Sequence, residues 1–114
     1  MESKMFPAQG ATNSKPRILV HPPDDLPYQV VATYLDNCRK GVQSLKDAIE
    51  RSDYDFAGLY GHRMKGSGGA YGFPLLTETG ASIEQAAHAR NDADLRTWAA
   101  AVEAHLESVE VAGP

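Results

Sequence analysis

The chain has 114 residues, a formal net charge of −4, 42% apolar residues and a single cysteine. That length holds one domain with one core and no second lobe. The mildly acidic balance excludes generic nucleic-acid binding, which needs a basic surface for its phosphate contacts, and the apolar runs fall far short of the ~20 residues of a membrane span.

Met1 to Gln9 lacks the long apolar stretch of a signal peptide. Cys38 alone allows neither an intrachain disulfide nor an all-cysteine metal site, so a reducing cytoplasm is the expected compartment. It falls on an apolar stripe and reads as a packed thiol rather than a nucleophile.

Residues 1–17 read as a mobile tail, poor in apolar surface and interrupted by Pro7 and Pro16. Ile18-Leu19-Val20 is a short β-branched run stopped by Pro22-Pro23; with no evident strand partner it is expected to pack against the rest as an extended segment. Pro27 suits a first helical turn, with Asp24 or Asp25 as the cap. Tyr28, Val31, Leu35, Cys38, Val42, Leu45 and Ile49 then recur at alternating steps of three and four. That spacing predicts a helix over about 27–51, roughly 37 Å long, with one narrow seam.

Ser52 or Asp53 can cap a second helix over about 54–70, with Phe56, Leu59, Tyr60, Met64, Ser67 and Tyr71 as its inward set and Gly72 to end it. Pro74 opens a third, over about 74–90, whose inward face is Leu76, Thr79-Gly80, Ile83 and Ala86-Ala87. Asn91 or Asp92 caps a fourth, over about 93–110, with the stripe Leu95, Trp98, Val102, His105-Leu106 and Val109. Trp98, Tyr28 and Tyr54 read as core or boundary aromatics. Four amphipathic helices joined by short loops predict an all-α, antiparallel up-down four-helix bundle.

One face of the second helix does not look like a core. Each helical residue turns the direction by ~100°, which puts His62 ~160° from both Tyr60 and Met64. Its neighbours on the helix surface are Asp55, Gly58, Lys65, Gly66 and Gly69. A buried histidine would have apolar neighbours one turn away, and an idle solvated face would favour Ala, Glu or Lys over glycine. A histidine that a bulky partner must reach needs a low collar, which Gly58, Gly66 and Gly69 supply. If the imidazole carries a phosphoryl group, Lys65 one turn on can meet its charge, and Arg63 can reach it only from the side.

The run His62-Arg63-Met64-Lys65-Gly66-Ser67-Gly68-Gly69-Ala70-Tyr71-Gly72 resembles the signature of histidine-containing phosphotransfer (HPt) domains: a histidine, two residues, a lysine, a glycine, small residues and a further glycine. The resemblance extends from about Arg17 to Val111, which makes 18–112 an HPt-like bundle behind the tail. Met64 stands where many relatives have leucine, and Gly68-Gly69 makes the segment richer in glycine than many. The resemblance implies that His62 takes a phosphoryl group from the aspartyl phosphate of a response-regulator receiver domain and passes it to another, in a phosphorelay that can include a hybrid sensor kinase. It further implies that Lys65 stabilises the phosphoryl group, that Gly66 gives access, and that Arg63, Ser67, Gly58 and Gly69 border the site. No cofactor of its own is implied; Mg²⁺ would belong to the receiver's acidic cluster. The docking face would comprise exposed residues of the first two helices, with Tyr34, Arg39 and Lys40 at its rim, on a monomer.

Other chemistries fit less well. Gly61 to Gly66 has the glycine spacing of a nucleotide-binding loop, but Ser67-Gly68 follows where Lys-Ser/Thr is required. Gly66-Ser67-Gly68 begins a dinucleotide pattern, yet Tyr71 replaces its third glycine. His21, His62, His88 and His105 form no metal-ligand spacing, and His88 and His105 read as boundary histidines. The remaining alternative is a non-catalytic helical adaptor.

Overall fold

The computed structural model describes residues 18–113; the proposed 1–17 tail lies outside the described residues. The elements are β1 (Ile18–Val20), α1 (Tyr28–Glu50), α2 (Tyr54–Ser67), a 3₁₀ turn (Gly69–Tyr71), α3 (Pro74–His88), α4 (Asp92–Ser108) and β2 (Val109–Val111). The architecture is the expected all-α four-helix bundle: successive helices pack on one another, and α1 closes the ring against α4.

The α1 stripe behaves as its spacing requires. Val31, Leu35, Val42, Leu45 and Ile49 are buried, joined by Ala48, while Tyr28 and Cys38 are partly buried against them. Its start differs from expectation. Pro27 occupies the cap position in extended conformation with no side-chain cap. Asp24 and Asp25 sit in a turn closed by Leu26 N–H donating to the Pro23 carbonyl, too far upstream to reach the first helical amides. The other two expected caps form: Asp53 accepts from Phe56 N–H and Asn91 from Asp94 N–H, both at 3.0 Å. Each satisfies an amide that the helix leaves unpaired.

The seam of α2 corrects the sequence expectation. Ala57, Gly58, Gly61 and Met64 are buried, whereas Phe56 is 37% and Leu59 46% exposed. The reason is the approach of α3. A Cβ on Gly61 would lie 2.6 Å from the Glu84 nitrogen and 2.7 Å from the Gly80 oxygen; one on Gly80 would lie 2.5 Å from the Lys65 nitrogen. The two backbones touch where only glycine fits, so small residues form the contact and the large apolar ones turn towards α1. Gly68 continues this line, because a Cβ there would meet Leu76 Cβ at 2.8 Å.

The α-helical bonding ends at Ser67 rather than near 70, and the chain tightens into the 3₁₀ turn before Gly72, at φ +97°, stops it as expected. Phe73 then caps α3 and is among the largest fully buried side chains, a core position absent from the predicted set. In α3 the expected inward residues Leu76, Thr79, Gly80, Ile83, Ala86 and Ala87 are all buried. In α4 the seam is Leu95, Ala99, Val102 and Leu106. Trp98 lies at the boundary, 37% exposed. His105 is half-buried, and that burial lowers the pKa of its imidazole.

The bundle is fastened at its chain ends. The expectation that Ile18–Val20 has no strand partner is overturned: it pairs in parallel with β2, Ile18 opposite Val109 and Val20 opposite Val111. Val109 and Val111 point inward and Glu110 outward, the alternation of a strand, so the helix predicted to run to 110 ends at Ser108. Arg39, predicted at the docking rim, is committed elsewhere. Its guanidinium donates to the Leu106 and Val109 carbonyls at 3.0–3.2 Å and so satisfies oxygens at the end of α4.

Gly61→Ala or Gly80→Ala should destabilise the fold by about 1–3 kcal/mol, because a backbone rather than a flexible side chain must yield. Denaturant unfolding measures this, with Gly113→Ala, whose Cβ would meet nothing within 4 Å, as the neutral comparison.

Candidate functional site

His62 lies at the edge of the buried Ala57–Gly58–Gly61–Met64 seam, and its side chain is 64% exposed. The imidazole is therefore reachable, as the angular count predicts. It is not, however, isolated. Glu84, rising from α3 beside the Gly61–Gly80 contact, places Oε2 3.0 Å from His62 Nδ1. The other carboxylate oxygen, Oε1, lies 2.8 Å from Lys65 Nζ. One carboxylate thus bridges the histidine and the lysine one turn on.

The electrostatics fix the protonation pattern. The hydrogen bond from Lys65, followed by that from His62, lowers the pKa of the Glu84 carboxyl against the opposing effect of partial burial. An ionised carboxylate only accepts hydrogen bonds. His62 Nδ1 must then be the donor, and a neutral ring carries its lone pair on Nε2. That nitrogen is on the exposed ring and is chemically able to act as a nucleophile.

The glycines divide into two groups. A Cβ on Gly66 would meet nothing within 4 Å, so this position borders open space beside Lys65. Gly69 is exposed, but it belongs to the 3₁₀ turn, where its N–H donates to Thr77 Oγ1 at 2.8 Å. Gly58 does not clear space for a visitor. It is buried, and a Cβ there would touch Ala87 Cβ at 3.6 Å and the His88 ring at 3.9 Å. It packs against α3 at ordinary contact distance.

Arg63 and Ser67 face away from His62, towards α1. They line a cleft of ≈ 370 Å³ between α1 and α2, together with the exposed Phe56 and Leu59. Tyr34 from α1 spans it: its hydroxyl lies 2.8 Å from Ser67 Oγ, which donates to the Arg63 carbonyl at 2.9 Å. The Tyr34 ring stacks on Tyr71 with centroids 4.1 Å apart, which ties the end of α2 to α1. Burial pushes the Tyr34 and Tyr60 phenols and the Cys38 thiol up, so all three stay protonated at neutral pH and Cys38 remains a packed thiol.

The structure therefore gathers His62, Lys65 and Gly66 on one face, and leaves Arg63 and Ser67 on the adjoining cleft, Gly58 in the helix interface and Gly69 beyond the helix end. Glu84 is the site residue that the motif does not predict. Its signal in the sequence is indirect: it lies one turn after Gly80, the position that marks a close crossing. Among the described residues no group of three or more His, Cys, Asp or Glu is placed to hold a metal ion, and no helix is long and apolar enough to cross a membrane. The Gly61 to Gly66 spacing lies inside α2 rather than in a loop, which removes the nucleotide-loop reading.

Comparison with known proteins bears on the same residues. No curated protein and no solved structure matches the chain. A family model, that of the Hpt domain, matches residues 29–112. This span takes in all four helices but for the first residue of α1, along with His62, Lys65, Gly66 and Glu84. With well over half of its length matched, the chain belongs to the Hpt domain family, whose members serve histidine phosphotransfer in phosphorelays.

Proposed function

We propose that this chain is a phosphorelay intermediate that accepts a phosphoryl group on His62 Nε2 from a receiver-domain aspartyl phosphate and passes it to a second receiver. The observation that carries this reading is the exposed His62 whose Nδ1 donates to Glu84, which leaves the Nε2 lone pair for chemistry. In the forward step that lone pair attacks phosphorus. The P–O bond to the receiver's carboxylate breaks, its electron pair returns to the carboxylate, and the N–P bond forms. Onward transfer reverses these roles with a new carboxylate. Such chemistry asks for positioning and charge more than for covalent help.

The supporting arrangement is local. Lys65 stands beside the nucleophile and can exchange its Glu84 partner for a phosphoryl oxygen. Gly66 leaves open space for the incoming acidic loop of the receiver. The cleft of α1 and α2, with Phe56 and Leu59 exposed and Arg63 at its edge, supplies an apolar docking face with a basic border. Mg²⁺ enters with the receiver, since the donor set around His62 consists of one carboxylate already engaged by the Lys65 ammonium and the His62 ring.

Incubation with a phosphorylated receiver should put an acid-labile label on this chain, and His62→Gln should abolish it. Label persisting on His62→Gln contradicts the assignment, and partner function persisting without label supports an adaptor instead. Lys65→Ala should slow transfer by about tenfold, the loss of one charge-assisted hydrogen bond of ~1.5 kcal/mol, with the fold intact. Gly66→Ala should separate stability from activity. It should stabilise α2 by up to ~1 kcal/mol through helix propensity while it slows transfer by narrowing the approach. Unfolding curves and transfer kinetics on the same samples measure both.

A further inference from the structure

The outer face of α4 has no counterpart within the chain. α4 packs on α3 and α1 through Leu95, Ala99, Val102 and Leu106. At ~100° per residue, the residues within ~60° of the opposite direction are Ala93, Thr97, Ala100, Ala101, Ala104 and Ser108. Among the described residues of α4 none on this arc is charged, whereas a solvated helix face normally is. Its two hydroxyls are turned into the helix: Thr97 Oγ1 donates to the Ala93 carbonyl at 3.0 Å and Ser108 Oγ to the His105 carbonyl at 2.8 Å. On the α1 side of the face the flanking charges are used within the chain, Arg96 by Glu50 and Glu103 by Lys46 and Gln43. On the other side stands Trp98, the only tryptophan, 37% exposed.

The row on that side is Asp94, Trp98, Ala101 and His105, at steps of four, three and four. Asp94 and His105 share their midpoint with Trp98 and Ala101. Against a copy of the same row running the other way, Asp94 therefore falls opposite His105 and Trp98 opposite Ala101. An acid meets an imidazole and a large ring meets a methyl group, each twice. A two-fold contact between identical surfaces requires this reciprocity.

We propose that the Trp98 face of α4 is a homodimer interface whose occupant is a second copy of this chain, packed antiparallel with α4 against α4. The inference stands apart from the phosphotransfer reading, and it replaces the monomer expected from the resemblance. Small side chains let the two helix axes come close, and Trp98 of each copy covers Ala101 of the other. Asp94 Oδ2 accepts from Asn91 at 3.0 Å, which leaves Oδ1 for a ring N–H of His105 of the second copy. A neutral imidazole supplies that donor, and the half-burial of His105 favours the neutral form. Because α4 packs on α3 and α1, its outer face lies across the bundle from the His62 helix, and pairing leaves both His62 side chains exposed. A contact along one 17-residue helix, ~25 Å long, stays near or below the ~1,200 Å² of transient interfaces, so the dimer should be weak and reversible.

Sedimentation equilibrium and Trp98 fluorescence of the full chain, from about 10 µM to about 1 mM, test this, with circular dichroism as the fold control. The mass should rise from that of one 12.3 kDa chain towards that of two, and the emission should move to shorter wavelength over the same range. Ala101→Glu puts a charge against Trp98 of the second copy at an exposed position, and should weaken association by about tenfold or more with the fold intact. Gly113→Glu, the same charge placed off the face, should associate as the native chain does. Asp94→Lys and His105→Glu should each weaken association, and the two changes in one chain should restore it, because antiparallel pairing sets each reversed side chain against the other. A native chain that stays monomeric throughout, an Ala101→Glu chain that associates as the native one does, or a double variant no better than the single ones would overturn the proposal.

Discussion

The site depends on one steric constraint: two helices that approach until their backbones touch. Gly61 and Gly80 have no side chains to keep α2 and α3 apart, and a Cβ on either would fall inside a neighbouring backbone. Close approach has three consequences. It buries the Ala57–Gly61–Met64 line and so turns His62 to the outside. It brings Glu84 of α3 within hydrogen-bond reach of a residue on another helix. It also displaces Phe56 and Leu59 from the core into a cleft beside α1. Fold and site are thus set by the same contact.

This constraint explains which parts were legible in the sequence. The α1 and α3 faces follow from periodicity because their buried residues are the apolar ones, spaced by threes and fours. In α2 the rule inverts: glycine is buried while phenylalanine and leucine are exposed, since contact distance rather than side-chain volume decides what faces inward there. A hydrophobic count along α2 selects the wrong seam; His62 is still exposed, but it stands beside the true seam, next to Gly61 and one turn from buried Gly58, rather than opposite it. In α4 a smaller version recurs, with Ala99 buried and Trp98 at the boundary. Phe73 could not be read from period at all, because it sits in a connection, where the buried ring caps α3 and lies 6.0 Å from Tyr34.

The remaining surprises are contacts between distant parts of the chain. Pairing of Ile18–Val20 with Val109–Val111 joins segments at opposite ends of the sequence, and nothing local announces it. Arg39 looks like a free surface cation until the carbonyls at the end of α4 are placed beside it. Glu84 is similar: within its own helix it is an ordinary polar residue, and only the crossing gives it His62 and Lys65. The motif carries His62, Lys65 and Gly66. The carboxylate that bridges the first two comes from tertiary structure.

The resulting picture is a rigid platform with an open edge. A carboxylate less exposed than its partners bridges an imidazole and a lysine, and the imidazole stands exposed one turn from the open space at Gly66. Most of what such a domain needs for phosphoryl exchange is geometry prepared before the partner arrives. The most direct test is to map the modified residue by tandem mass spectrometry under alkaline conditions, after brief exposure of the chain to a phosphorylated receiver. The account predicts phosphorylation of His62 alone among the four histidines. Phosphate on His21, His88 or His105, or on a carboxylate or hydroxyl in place of His62, would contradict it.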